Sequence, residues 1–182
     1  PIDADSAKDL IPALTTQEEL NQFEHHNIVS ATEWAIGNSR LKNSLLTLDG
    51  LKRLHKKMFD QTWKWAGKFR TSNTNIGADW HSCSAKVKEL CDDVDYWLKK
   101  KTYPLEEIAV RLHYRLVAIH PFPNGNGRHA RLVADIFLKH HGEKPLTWGS
   151  NQVTAKGDAR MAYIQALRAA DSGKLDLLLK FA

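Results

Sequence analysis

The chain has only two cysteines, Cys83 and Cys91, in 182 residues. Two thiols eight positions apart make neither a disulfide framework nor a paired zinc-ligand spacing. On one helix they would share a face but stand two turns apart, too far to bond, so both are expected to be reduced. No stretch approaches the roughly 18 consecutive apolar residues of a membrane span. The opening Pro1-Ile2-Asp3-Ala4-Asp5 lacks the apolar core of a signal peptide, which sets the expectation of a cytoplasmic protein with no membrane partner. Internal repeats and low-complexity segments are also missing, which excludes solenoid and linker architectures. The formal charge of +5 suits an anionic ligand such as a nucleotide. The lysines are scattered, however. The densest run, Lys99-Lys100-Lys101, follows an amphipathic stretch and reads as cationic termination of a helix. No recognition helix with clustered base-reading side chains is visible, so a nucleic-acid partner is not expected.

What is present is helical periodicity. Thr16 with Glu19 matches a capping box, opening a helix that runs to about Ile36 and stops at Gly37-Asn38. A second helix starts near Asp49 and turns Leu51, Leu54 and Met58 inward. Further helices are predicted at about 84–100, 104–119, from the following loop to about His140, at 156–170 and at 174–181. Between Phe69 and His81 the helical period is lost and β-formers mix with turn residues. That stretch is predicted to be a short hairpin or flap turning near Gly77-Ala78-Asp79. The fold class is therefore mainly α with one small β element. His113 reads as a core residue, and His25, His26 and His55 as surface residues.

The most informative segment is His120-Pro121-Phe122-Pro123-Asn124-Gly125-Asn126-Gly127-Arg128-His129-Ala130-Arg131. A glycine-rich turn that opens a helix presents unpaired N–H groups at the positive end of the helix dipole, a natural phosphate site. Arg128 and Arg131 add bidentate cations from the first turn. His120 at the rim has the chemistry to take a proton from a hydroxyl attacking phosphorus.

The pattern His-Pro-Phe-x-x-Gly-Asn-Gly-Arg-x-x-Arg resembles the signature of the Fic family. The resemblance extends to Gly67-Lys68-Phe69-Arg70-Thr71 and covers roughly residues 45–170. With Ser30-Ala31-Thr32-Glu33-Trp34-Ala35-Ile36-Gly37-Asn38 and Trp148-Gly149-Ser150, the chain is most similar to the bacterial subfamily called mobile mystery protein B. The resemblance implies a Fic-type helical bundle with a hairpin flap beside the active-site loop. It implies an N-terminal arm at 1–14 and a single domain at 15–182, made of a helical region (15–44), a core (45–170) and a C-terminal helix (171–182). The implied activity is adenylylation, transfer of AMP from ATP to a Tyr, Thr or Ser hydroxyl of a target protein, in a setting that is toxin-like. His120 would be the general base. Gly125, Asn126 and Gly127 would form the anion nest, Arg128 would take the β-phosphate and Arg131 the γ-phosphate. Phe122 would anchor the loop. Thr74, Asn75, Ile76 and Gly77 would dock the target, and Mg2+ would bridge the phosphates. A small antitoxin or helix-turn-helix companion is a further implied partner.

Two positions depart from the family pattern. Asn124 stands where the family usually has an acidic magnesium ligand, and offers a neutral carbonyl oxygen instead. The inhibitory motif of many Fic proteins is incomplete: Ala35-Ile36-Gly37-Asn38 has no glutamate before its glycine, and Glu33, one turn earlier, is the candidate substitute. Two other readings of the loop follow. One is a nucleotide-binding pseudoenzyme or regulatory module, with metal binding impaired by Asn124. The other is a kinase-like phosphotransferase, against which Gly127 argues, because those relatives carry Lys at its position.

Overall fold

Thr16 opens the first helix as expected. Its hydroxyl accepts from the Glu19 N–H and the Glu19 carboxylate reaches back to the Thr16 N–H, so two of the helix's orphan donors are satisfied reciprocally. This helix, α1 (Gln17–Gly37), ends at Asn38, whose side chain at once caps a short α2 (Ser39–Ser44) through the Leu41 N–H. The sequence reading had no separate element there. Thr47 caps α3 (Leu48–Phe59). After a 3-10 turn (Trp80–Ser82) come α4 (Cys83–Lys100), α5 (Leu105–Ile119), α6 (Asn126–His140), α7 (Lys156–Asp171) and α8 (Asp176–Phe181). The computed structural model describes residues 8–149 and 156–182, with no side-chain detail for 156–158. Residues 1–7 of the expected arm and Ser150 lie outside that description. Asp9 and Ile11 exchange backbone hydrogen bonds with Lys64 and Thr62, and Leu10 bridges Trp63, so the described part of the arm lies along the segment after α3.

The core follows the apolar stripes. Leu51, Leu54, Met58 and Phe59 of α3 meet Val87, Leu90 and Val94 of α4, Leu112 and Leu116 of α5, and Val133, Ile136 and Phe137 of α6, all buried. The central pair is α5 with α6, joined by the short motif loop, and α1 lies across α3 and α6. Val110, Ala166, Ala170, Leu178 and Phe181 form a second apolar cluster, and Leu146 and Trp148 pack against both clusters. Both cysteines are free, as expected, and both are buried. No helix of the described residues is long and apolar enough to cross a membrane.

The hairpin expected between Phe69 and His81 is not formed. Among the described residues this stretch is a chain of bends leading into the 3-10 turn, and the single β bridge lies elsewhere. β-forming residues need a strand to pair with, and within this chain the segment's bonds go instead to loop ends and side chains. Asn73 Oδ1 accepts from the Trp80 N–H, the Thr74 hydroxyl donates to the Ile76 carbonyl, and the Ala78 N–H donates to the Ile119 carbonyl.

Candidate active site

His120 terminates α5 in the left-handed backbone region, at φ 53°, with its N–H still bonded to the Leu116 carbonyl. A non-glycine residue rarely sits there and is held by its surroundings. The imidazole is half-buried, and its Nδ1 has no hydrogen-bond partner among the described residues. Burial pushes the imidazole pKa below its ordinary value. The Val117 carbonyl opposes that shift, and the Arg70 guanidinium adds to it. His120 is therefore neutral at pH 7 and able to accept a proton.

The loop beyond it is locked from inside. Phe122 is fully buried, stacks on His55 at 3.6 Å between ring centroids and meets Phe69 and His129 edge-on. Asn126 is buried as well. Its Oδ1 accepts from the Phe122 N–H (2.9 Å) and its Nδ2 donates to the Phe122 carbonyl (2.8 Å). The Asn126 side chain is thus consumed in closing the loop, and only its backbone N–H is left for an anion. His55 was expected at the surface and is instead fully buried. Its Nδ1 accepts from the Gly67 N–H and its Nε2 donates to the Asn124 carbonyl, so one imidazole joins the segment after α3 to the motif loop. His113 is buried, as expected for a core residue; His129 is buried too and donates from Nε2 to the Leu51 carbonyl.

Gly125 precedes α6 with φ 76°, and no side chain caps the helix. The N–H groups of Asn126, Gly127 and Arg128 have no partner among the described residues. The two glycines of this turn differ in why they are glycine. A Cβ on Gly125 would lie 2.6 Å from the Phe59 ring, so packing and backbone both demand glycine there. A Cβ on Gly127 would meet only the Tyr163 hydroxyl, at 3.7 Å, an ordinary contact. The fold does not require glycine at 127. Tyr163 is held there by His113, whose Nε2 lies 3.0 Å from the phenol oxygen, and the Arg131 guanidinium lies over the Tyr163 ring.

Arg128 is already engaged. Its guanidinium forks onto Glu24 of α1, at 2.6 and 3.3 Å, and lies over the Phe59 ring. Glu24 is buried and also accepts from the Trp63 indole N–H at 2.7 Å. The glutamate that meets a loop arginine is therefore Glu24, and the arginine is Arg128. Glu33 is exposed and pairs with neither arginine; nine residues along a helix of 3.6 per turn place it on the opposite side of α1 from Glu24. Asn124 Oδ1 accepts from the Gly125 N–H at 2.6 Å, so the expected metal ligand is turned back on its own loop. Among the described residues no cluster of His, Cys, Asp and Glu is built to hold a metal ion.

A family model described as Fic/DOC matches residues 45–138, more than half of the chain. The chain belongs to the Fic/DOC family. It is 27% identical over 141 residues to the protein adenylyltransferase fic-1 of Caenorhabditis elegans, covering 75% of this chain and 26% of that one. It is 27% identical over 167 residues to the protein adenylyltransferase Fic of Nematostella vectensis, covering 87% and 37%. The chain thus spans 26% to 37% of the length of these curated relatives. Among solved structures, a Fic domain containing signaling protein from Bacteroides thetaiotaomicron aligns with a TM-score of 0.75 at 20% identity, over 93% of this chain and 70% of that one. The BepC protein of Bartonella tribocorum, solved with bound AMPPNP, aligns with a TM-score of 0.69 at 18% identity over 98% of both chains. These likenesses establish a mainly helical Fic fold.

The structure brings His120 and residues 124–131 together at one helix start and places Gly77 of the expected docking residues beside His120: a Cβ on Gly77 would lie 2.6 Å from the His120 Cβ. Sequence reasoning missed Glu24, His55 and Arg70. For Arg70 a signal existed, its place in the Gly67-Lys68-Phe69-Arg70-Thr71 run that carries part of the family resemblance. For the other two no local signal exists.

Proposed function

We propose that this Fic domain is a protein adenylyltransferase that moves AMP from ATP to a Tyr, Thr or Ser hydroxyl of a target protein. The observation that carries the reading is the uncapped start of α6, where N–H groups without a partner among the described residues meet a glycine that packing does not require. Gly125, Asn126 and Gly127 then contribute backbone N–H donors to the phosphates, with Arg128 and Arg131 as flanking cations. His120 takes the hydroxyl proton as the oxygen bonds to the α-phosphorus and the bond to the pyrophosphate oxygen breaks. The curated relatives named adenylyltransferases support this chemistry, and the AMPPNP in BepC supports a nucleotide ligand.

The flap at 71–79 is proposed to dock the target. Thr74–Gly77 has no ladder partner among the described residues and Ile76 is 61% exposed, so an extended target segment could pair along it. Mg2+ is proposed to be held mainly by nucleotide oxygens, with Asn124 Oδ1 as the one protein ligand once it releases the Gly125 N–H. The ion would supply charge neutralisation at the phosphates. The shared packing of Leu146 and Trp148 supports residues 15–182 as one domain. The resemblance to mobile mystery protein B supports a bacterial, cytoplasmic, toxin-like setting with an antitoxin or helix-turn-helix companion.

The deciding experiment supplies α-labelled and γ-labelled ATP with magnesium to a bacterial lysate, with wild type and His120→Ala in parallel. Label on protein from the α position alone, lost in His120→Ala, is the expected result. Label from γ alone would establish the kinase-like reaction instead. No label at all, with ATP still bound, would favour the pseudoenzyme reading, which the inward turn of Asn124 supports.

The Glu24–Arg128 pair gives a second prediction. A phosphate must compete with a carboxylate for the same fork. Glu24→Gln keeps an acceptor for the Trp63 indole and removes the competing charge. ATP affinity measured by calorimetry is expected to rise by about tenfold, about 1.4 kcal/mol. An unchanged or weaker affinity would mean that Arg128 does not bind the nucleotide.

A further inference from the structure

Arg70 is 4% exposed and, among the described residues, makes no ion pair. A buried guanidinium without a carboxylate is costly, and an apolar residue would serve the core better. What its donors do instead is specific. Nε donates to the carbonyl of His120 itself, at 2.6 Å. Nη1 donates to the Ser72 carbonyl at 2.9 Å, and Nη2 to the carbonyls of Ala78 and, at 3.5 Å, Ile119. Its own backbone N–H donates to the Pro121 carbonyl at 2.9 Å. One residue, through its side chain and its backbone N–H, therefore ties both ends of the 71–79 flap to Ile119, His120 and Pro121.

A second observation points the same way. Gly77, at the flap's turn, has φ 103°, and a Cβ there would lie 2.6 Å from the His120 Cβ and 3.2 Å from Nη2 of Arg70. The flap thus presses on the histidine with no room between them.

We infer that Arg70 is a positioning residue that makes the flap and His120 one rigid unit, so that a target docked on the flap meets the proton acceptor in fixed register. The inference rests on the adenylyltransferase reading. Arginine suits the task because its planar fork can address four carbonyls in fixed directions, which a lysine ammonium cannot. Its charge also bears on the imidazole. The other titratable groups nearby face elsewhere or stay neutral: Asp79 Oδ1 is taken by His81, and the Cys83 thiol, from α4, has its pKa raised by burial and is directed at the Asp79 and Ile119 carbonyls.

The test compares Arg70→Lys and Arg70→Gln with wild type by three measurements: ATP affinity by calorimetry, the rate of α-label transfer to lysate protein, and the titration of the His120 imidazole followed by NMR in the free protein. In both variants ATP affinity is expected within about threefold of wild type, while the transfer rate falls on the order of 100-fold, the usual penalty for a misplacement of about 1 Å. In Arg70→Gln, with the charge removed, the His120 titration also moves to higher pH. Folded variants that transfer label within threefold of wild type would overturn the inference, as would loss of ATP binding alongside rate, which would place Arg70 in the nucleotide site. If wild type transfers no label, the adenylyltransferase reading fails by itself. The NMR titration then still decides the Arg70–His120 contact, and an unmoved midpoint in Arg70→Gln refutes it. Should both variants unfold, Gly77→Ala presses on the same contact from the flap side and is expected to lower the transfer rate with ATP affinity kept. An unaffected rate there would refute the coupling.

Discussion

Gly127→Val should fold like wild type and bind ATP about 30-fold more weakly, whereas Gly125→Ala should bind poorly because its loop no longer forms. The two glycines are two residues apart and are conventionally read as one motif, yet the structure separates them. Gly125 sits at φ 76° with the Phe59 ring 2.6 Å from where a Cβ would be. An alanine there incurs a left-handed penalty of about 1–2 kcal/mol and an overpacking penalty of about 1–3 kcal/mol. Together these are a large share of an ordinary domain's stability. Gly127 has helical backbone and a Cβ there would make only an ordinary contact, and removing a glycine from a helix is mildly favourable. The valine methyls would instead fill the volume over the α6 N–H groups. Displacing a phosphate there costs about 2 kcal/mol by analogy with overpacked contacts, or roughly 30-fold in affinity. Thermal melts and ATP titrations of the pair measure both halves. If Gly127→Val binds ATP like wild type, the nucleotide does not use this helix start.

Acid should unfold this protein well above the pH at which most carboxylates protonate. Three buried imidazoles are held neutral. Burial pushes His129 down to about 4 and His113 down to about 3, and His55 lies well below 6.5. In the unfolded chain each takes up a proton below about pH 6.5. Between pH 6.5 and 4 the unfolded state therefore binds more protons than the folded one, and stability falls as pH falls. Each such group is worth about 1.4 kcal/mol per pH unit. Asp135 works in the opposite direction. Burial raises it to about 6 against the hydrogen bonds from Trp148 and Leu146, so the folded carboxyl binds its proton first and offsets one histidine. Two uncompensated groups leave a slope of about 3 kcal/mol per pH unit. That slope exhausts an ordinary stability of about 5–15 kcal/mol within a few units. Melting temperatures recorded from pH 8 to 4 should hold nearly level above 7 and drop steeply below 6. A flat profile down to pH 4.5 would show that these imidazoles are not neutral in the fold.

The sequence by itself determined the longer helices and the residue pattern of one loop. The capping box at Thr16, the stripes of Leu51, Leu54 and Met58, and the run from His120 to Arg131 are all written within a few turns of chain. Helical hydrogen bonds and caps act over three or four residues, so local order is enough to read them. The flap at 69–81 shows where that reading ends: its β-formers predicted a hairpin, and among the described residues there is no strand for them to pair with. Tertiary structure alone decided which groups meet the loop. Glu24 reaches Arg128 across 104 residues, His55 reaches the Asn124 carbonyl across 69, and Arg70 reaches the His120 carbonyl across 50. Glu24 and Glu33 are indistinguishable by type on the same helix, and only the packing of α1 over α3 and α6 turns one toward the loop and the other to water. Such pairings depend on helix rotation and crossing, which arise when whole apolar faces are buried together and which no short window of sequence contains.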